Sequence, residues 1–319
     1  MLPLLHIPDG FLAPQVALTL WAATALVVGI ALRRIGDRDA TTGRQTILMG
    51  ISGAFIFAAQ MFNFPVAAGT SGHLLGGVLA GYLLGPWAGS VVMATVIGIQ
   101  ALLFQDGGVL ALGANIFNMG VIGTLGGSFV ARGIGATLGG TRIATLIGVG
   151  AAAWLSVVAA AGFTTLQLGL SGTTDIRIGL PAMLGTHALI GIGEALISVA
   201  ALSFVAASAP ELLRRRQGGD AGTSASPARR LFAAAGVIIP VVLCASLFAS
   251  ASPDGLMKFA HDLGFASKES AAPFELFAGY RIPGLEGPIA RIVAGIIGVL
   301  IVAALLVGLS RIAARRRRE

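Results

Sequence analysis

The chain carries little charge, two lysines, one cysteine and four histidines. Only 11% of its 319 residues are charged and 55% are hydrophobic, where an ordinary soluble domain has roughly 25% charged. Mean hydropathy is +0.88, and long apolar runs recur throughout. That excludes a large soluble core and marks a polytopic helical membrane protein. The lone Cys244 excludes an intrachain disulfide framework or a thiolate metal cluster. Neither Lys258 nor Lys268 follows a Gly-rich phosphate loop, so the chain carries no P-loop of its own. HExxH, CxxC and GxSxG elements are missing as well, which leaves no visible catalytic set. No charged n-region precedes the first apolar run, so no secretory signal peptide is expected.

What is present is glycine and arginine. The 46 glycines suit close helix approach in a bilayer. The net charge of +7 comes from arginines clustered between apolar runs, which reads as topology signals and not as a nucleic-acid footprint. Apolar runs predict nine spans, at 11–32, 46–64, 73–87, 88–104, 111–131, 143–168, 181–208, 231–251 and 288–312. The third and fourth are short for a crossing of about 20 residues, and one is a candidate re-entrant segment. The expected fold is thus an all-α integral membrane protein, with a seven-span helical bundle over 1–208 and a two-span C-terminal unit over 231–319. A Gly/Ser/Pro/Arg-rich linker at 209–230 contains "RRRQGGDAGTSASPARR" and joins them; a turn-rich loop fills 252–287.

Nine crossings put the clusters at Arg33–Arg44, Arg132–Arg142, Arg214–Arg230 and Arg315–Arg318 on one side, the cytoplasm. The N-terminus is then extracytoplasmic and the C-terminus cytoplasmic. His6 and His73 face the outer compartment at helix ends. His187 lies about two turns into span seven from that side, and His261 lies in the last outer loop.

Imidazole suits Ni²⁺, Co²⁺, Cu²⁺ and Zn²⁺, so His6 and His73 are candidate ligands of one ion; the alternative is a pair of solvated interfacial histidines. Metal-bound histidines need orienting partners, and Asp9, Ser71, Asn115 and Asn118 are candidates. Ser71 is expected to cap the helix after "GTSG". Asn115 and Asn118 share a helix face and serve either helix–helix hydrogen bonding or a ligand-bearing loop. His187 reads as a hydrogen bond between packed helices. Glu194, the clearest intramembrane carboxylate, has a structural or a proton-relay role. Asp106 and Asp175 sit at outer helix ends.

The stretches "HIPDGFLAP", "GTSGHLLGGVLAGYLLGPWAG", "QALLFQDGGVLALGANIFNMG" and "GTHALIGIGEALI" together resemble the CbiM/NikM family, the substrate-binding membrane subunits of energy-coupling-factor (ECF) transporters for cobalt and nickel. The resemblance runs from about residue 5 to 208. "SPDGL" at 252–256 resembles the PDGLE motif of the small NikN/CbiN-type component, with Met257 in place of its glutamate.

The resemblance implies a prokaryotic cell-membrane protein that captures extracytoplasmic Ni²⁺ or Co²⁺. It implies a membrane coupling subunit (CbiQ/NikQ-like) and P-loop ATPase subunits (CbiO/NikO-like) as partners, and no organic cofactor. Family members begin Met-His; the terminal amine, the histidine amide nitrogen and its Nδ1 hold the ion, and the Ser-Gly-His imidazole completes a four-nitrogen site. The matching residues are His6 and His73. His6 is the sixth residue, so the amine is expected at Leu5, read as an alternative initiation codon; the other explanation is trimming of residues 1–5 or a different site. A secondary metal carrier would need Glu194 as its coupling group. A membrane enzyme of cofactor biosynthesis finds no catalytic set, and a vitamin-binding subunit leaves both outer histidines unexplained. Nitrogen ligation accepts either metal, with nickel slightly favoured by the Irving–Williams order.

Overall fold

The computed structural model describes residues 6–36, 43–67, 69–208, 227–270 and 276–315. Leu5 and most of the expected linker at 209–230 lie outside them. Among the described residues, six helices are long and apolar enough to cross a bilayer. They are α1 (Pro14–Gly36), α4 (Pro86–Phe104), α5 (Leu112–Thr137), α6 (Arg142–Leu170), α7 (Ile176–Ser208) and α10 (Gly287–Arg315). Two further apolar helices, α2 (Gly43–Gln60) and α8 (Pro227–Phe248), complete the frame. Large apolar side chains such as Leu18, Leu26, Phe129, Ile143 and Leu300 point outward, a surface suited to lipid and not to water.

The apolar run at 73–87 departs from a continuous span. Its helix, α3 (Gly77–Leu84), has eight residues, about 12 Å at 1.5 Å per residue. That is too short for a hydrocarbon core of about 30 Å. Upstream, Phe64–Pro65 (β1) and Ser71–Gly72 (β2) form a short antiparallel hairpin, with Phe64 opposite Gly72. The chain then runs irregularly to Gly76, whose φ of +80° closes off helix propagation.

Glycine brings α3 into backbone contact with α5. Over Ile116–Gly127, α5 widens into a π-helical pattern. A Cβ on Gly77 would stand 2.3 Å from the Met119 carbonyl, and one on Gly123 would stand 2.8 Å from Gly77 Cα. At the far end of α3, Arg132 Nη2 donates to the Gly81 carbonyl at 3.3 Å. Arg34 at the end of α1 lies over the Trp87 ring, 5.1 Å from its centroid.

The C-terminal helices do not stand apart. Helices α8 and α10 pack on α2, and Ala294, Val302 and Leu306 of α10 share one buried apolar cluster with Phe57 of α2 and Phe104 of α4. The segment between them carries a short helix, α9 (Gly255–Asp262). Its lead-in pairs with β2: Ser71 N donates to the Pro253 carbonyl at 2.9 Å.

Gly77→Val should lower the thermal midpoint of the purified protein, because a branched side chain meets main chain that cannot yield; overpacking costs about 1–3 kcal/mol. Gly29→Ala, where a Cβ meets nothing within 4 Å, should leave the midpoint unchanged or slightly raised.

Candidate metal site

Three irregular segments meet beside α5, α6 and α7: residues 6–13, 70–76 and 105–111. Each exposes main-chain N–H groups that helix geometry would otherwise satisfy, and each is held by buried side chains. Asp9 accepts from Val109 N at 3.0 Å, Leu110 N at 2.8 Å and Ala111 N at 3.0 Å. Asn115 pairs with both main-chain groups of Ile7, Oδ1 accepting and Nδ2 donating, each at 3.0 Å. Glu194 reaches from α7 to accept from Leu75 N at 2.5 Å and Gly76 N at 2.9 Å. It is wholly buried. The structural reading of Glu194 is the one the geometry carries, since its oxygens hold the start of α3 next to His73.

Close approach depends on "DGG" at 106–108. A Cβ on Gly107 would lie 2.8 Å from His6 Cβ, and one on Gly108 would lie 2.0 Å from Asp9 Oδ1. Only glycine lets the 105–111 segment lie this near the N-terminal segment.

His6 and His73, far apart in sequence, come together. Both are buried, and their ring centroids lie 5.6 Å apart at 66°. Two imidazoles on one ion, with metal–nitrogen bonds of about 2.0–2.1 Å as for zinc, have ring centres roughly 4.5–6.5 Å apart. The observed spacing falls in that window. The pair lines a cavity of about 70 Å³, with His187, Asn118, Met183 and Asp254 also in its wall. Sites for organic ligands run to about 300–1,000 Å³, so this cavity suits an ion with a few waters. Among the described residues, no group of three or more His, Cys, Asp and Glu converges with metal-binding spacing.

His6 Nδ1, the nitrogen that the resemblance assigns to the ion, donates to the Asp106 carbonyl at 2.9 Å and lies 3.2 Å from Asp106 Oδ1. Among the described residues, Nε2 has no hydrogen-bond partner. Ser71 does not cap a helix. It sits in β2, well ahead of Gly77, and its hydroxyl donates to the Ser252 carbonyl at 2.8 Å. His187 bonds to the Met183 carbonyl of its own helix at 2.8 Å, not to a neighbouring helix. Asn118 pairs across helices as the helix–helix reading has it: Gln167 Nε2 donates to Asn118 Oδ1 at 2.7 Å, and Asn118 Nδ2 returns a bond to Gln167 Oε1 at 2.9 Å. His261 is exposed on α9, away from the cavity.

Sequence reasoning missed three residues. Asp106 read as a helix-end acid and was not named among the orienting partners, although "FQDGG" directly precedes the segment that His6 touches. Asp254 read as part of a turn-rich loop. It caps α9, accepting from Met257 N at 2.7 Å, and faces the cavity. Tyr280 carried no local signal; its hydroxyl donates to Asp106 Oδ2 at 2.8 Å.

Burial draws the His6 pKa down, but the Asp106 carboxylate beside it outweighs burial and holds it above the usual histidine value. Burial pushes Asp254 up to about 7, against the opposing pull of the Met257 amide and His6.

Fold and cavity together define a multi-pass membrane protein with a small, histidine-lined chamber of ionic size. The chain belongs to the family described as the cobalt uptake substrate-specific transmembrane region, whose model matches residues 6–212, while a PDGLE domain model matches 229–315. It is 34% identical over 316 residues to a putative fused nickel transport protein, NikMN, of Archaeoglobus fulgidus, covering 97% of this chain and 99% of that one. It is 32% identical to a probable fused nickel transport protein, LarMN, of Lactiplantibacillus plantarum, covering 96% and 97%. A solved structure titled as a truncated transition metal transporter superposes with a TM-score of 0.54 at 33% identity, over 63% of this chain and 97% of that one. The family is one of metal transport proteins and not of enzymes.

Glu194→Ala leaves two buried amides unpaired, each at about 1–3 kcal/mol, and should lower the thermal midpoint markedly. Glu194→Gln keeps an acceptor oxygen and should lose less. Equal losses in the two variants would contradict the capping role.

Proposed function

We propose that the chain is the metal-capture subunit of an ECF-type importer for Ni²⁺ or Co²⁺. The observation that carries this reading is the buried His6–His73 pair, at 5.6 Å, in a cavity of ionic size. Ring nitrogens are good ligands for both metals, and the Irving–Williams order favours nickel. A divalent ion taken into a buried chamber needs nearby negative charge; Asp106 and Asp254 supply it. The relatives named as nickel and cobalt transport proteins support the same substrate.

Energy comes from partner chains: a CbiQ/NikQ-like coupling subunit and CbiO/NikO-like P-loop ATPases. The carboxylate that a secondary carrier would need as its coupling group is already engaged, because both oxygens of Glu194 accept main-chain hydrogens.

The chain is organised as a metal-binding unit over 1–208, a linker over 209–230 and a PDGLE-type unit over 231–319. The irregular segment before α3, together with α3, makes one crossing, giving seven spans plus two. In support, Arg34 meets Trp87 and Arg132 meets Gly81 at the far end of α3 from His73. The arginine-rich side is then cytoplasmic and the histidine cavity opens outward.

His6→Ala and His73→Ala should each weaken Ni²⁺ binding by more than about 100-fold in equilibrium dialysis, beyond the roughly 10–100-fold cost of losing an outer partner of a ligand. Wild-type affinity in both variants would sink the assignment. Protons compete for the same nitrogens. Because the His6 pKa is raised above 6.5, its ring begins to protonate above that pH on acidification. Titrated from pH 8 to 6, Ni²⁺ affinity should decline, with the loss starting above 6.5.

A further inference from the structure

A further cavity lies on the seam between the two segments that the family models match. Helices α2, α3 and α7 belong to the first segment and α8 to the second. Helix α7 packs chiefly on α6, and α8 packs on α2 and α10. Between them, α7 and α8 leave a recess of about 110 Å³. Leu79 and Ala80 of α3, Ile56 of α2 and Ile238 of α8 form its buried floor. Phe204 of α7, 44% exposed, and the half-buried Val237 of α8 stand at its rim. Phe55 borders the recess from α2 and touches two separate apolar cores, one centred on α3 and α6 and one on α2 and α8.

The lining restricts what can enter. Ser52 is the one polar residue among the described residues that line the recess, and a buried water needs about two to four polar partners. An apolar cavity of about 150 Å³ stays dry and takes benzene, so hydrocarbon fits here. A partner helix, about 10–12 Å across with its side chains, does not enter a space of this size. In a membrane-spanning protein the hydrocarbon at hand is the lipid acyl chain. Charge at one end of the recess says which lipid. Helices α2 and α8 both start on the arginine-rich side, and their far ends are joined by Ser250 N donating to the Asn63 carbonyl at 2.8 Å. Arg44 lies in the first turn of α2, Arg229 and Arg230 lie in the first turn of α8, and neither helix contains an acidic residue. Ala234, in the recess wall, follows Arg230 by one turn, about 6 Å along the axis. Basic clusters where a helix meets the bilayer surface attract anionic headgroups.

We propose that the recess between α7 and α8 is a lipid site: one acyl chain of an anionic phospholipid lies in it, with the phosphate at the arginine-bearing ends of α2 and α8. The lipid fills the seam that the protein leaves open and helps to hold α8 against the first segment. Such a lipid requires only a membrane-spanning chain, and metal capture is not involved.

The test uses the full chain and phosphatidylglycerol carrying a photoreactive diazirine in its acyl chain, with the matching phosphatidylcholine as the neutral probe. Labelling is run in phosphatidylcholine nanodiscs doped with each probe, and in the native membrane. Labelled peptides should cover 201–205 and 234–238 in both settings. Phosphatidylglycerol should label them about 10-fold more than phosphatidylcholine, since each arginine near the surface attracts an anionic lipid. Ala234→Phe fills the recess with a side chain. It should abolish this labelling and leave the thermal midpoint at or above that of the wild type. Arg229→Gln combined with Arg230→Gln leaves the recess open and should bring the two lipids to equal labelling; this variant decides the matter if Ala234→Phe fails to fold. Labels spread over the helices without enrichment at the two stretches, equal labelling by both lipids in the wild type, or undiminished labelling in folded Ala234→Phe would each overturn the proposal. So would labelling in nanodiscs that vanishes in the native membrane, because a partner chain or a second copy then covers the recess.

Discussion

Buried main-chain amides must be paired, because no water reaches them. That constraint shapes the interior of this protein. Its helices satisfy themselves, but the segments around 6–13, 70–76 and 105–111 do not. Buried side chains serve them instead: Asp9 for the residues leading into α5, Asn115 for Ile7, Glu194 for the start of α3. Each of these bonds also sets the position of a histidine-bearing segment. His6 precedes Ile7 directly and His73 precedes Leu74 and Leu75, so satisfying the backbone and building the cavity are one task.

The C-terminal unit takes part in that task. Its two long helices pack on α2, and its connecting segment joins the hairpin through Ser71 and brings Asp254 to the cavity wall. Two carboxylates thus flank the paired imidazoles, Asp106 from the first unit and Asp254 from the second. Neutral imidazoles alone would leave a captured dication with its charge unbalanced in a medium of low dielectric. Placing carboxylates near the ring nitrogens, with their own hydrogen bonds satisfied, meets that electrostatic need.

Much of this was legible before the structure. The two histidines and the importance of "HIPDG", "GTSGH" and "ALGAN" follow from polar residues standing where an apolar chain would not otherwise place them. Asn118 was read as a helix–helix contact and is one. Ser71 was misread because a serine after glycine resembles a cap, and only the geometry shows that the helix begins later. The 73–87 run read as one continuous helix because hydropathy scores composition and is blind to the glycine at 76 whose φ of +80° delays the helix. Tyr280 could not be found at all, since it is one of several aromatic residues in a turn-rich loop and its partner lies 174 residues away.

Class and apolar frame are written along the chain, because transfer into lipid acts on each segment's own composition. So is the lack of an ATPase loop, which is a local motif. Which polar groups meet is different in kind. Whether Glu194 relays protons or caps α3, and which groups His6 meets, depend on what comes within hydrogen-bonding distance. That distance is decided by glycine-permitted backbone contacts, such as Gly77 on Gly123 and Gly107 on His6. A buried polar atom takes its chemistry from its neighbours, and only the packed chain chooses those.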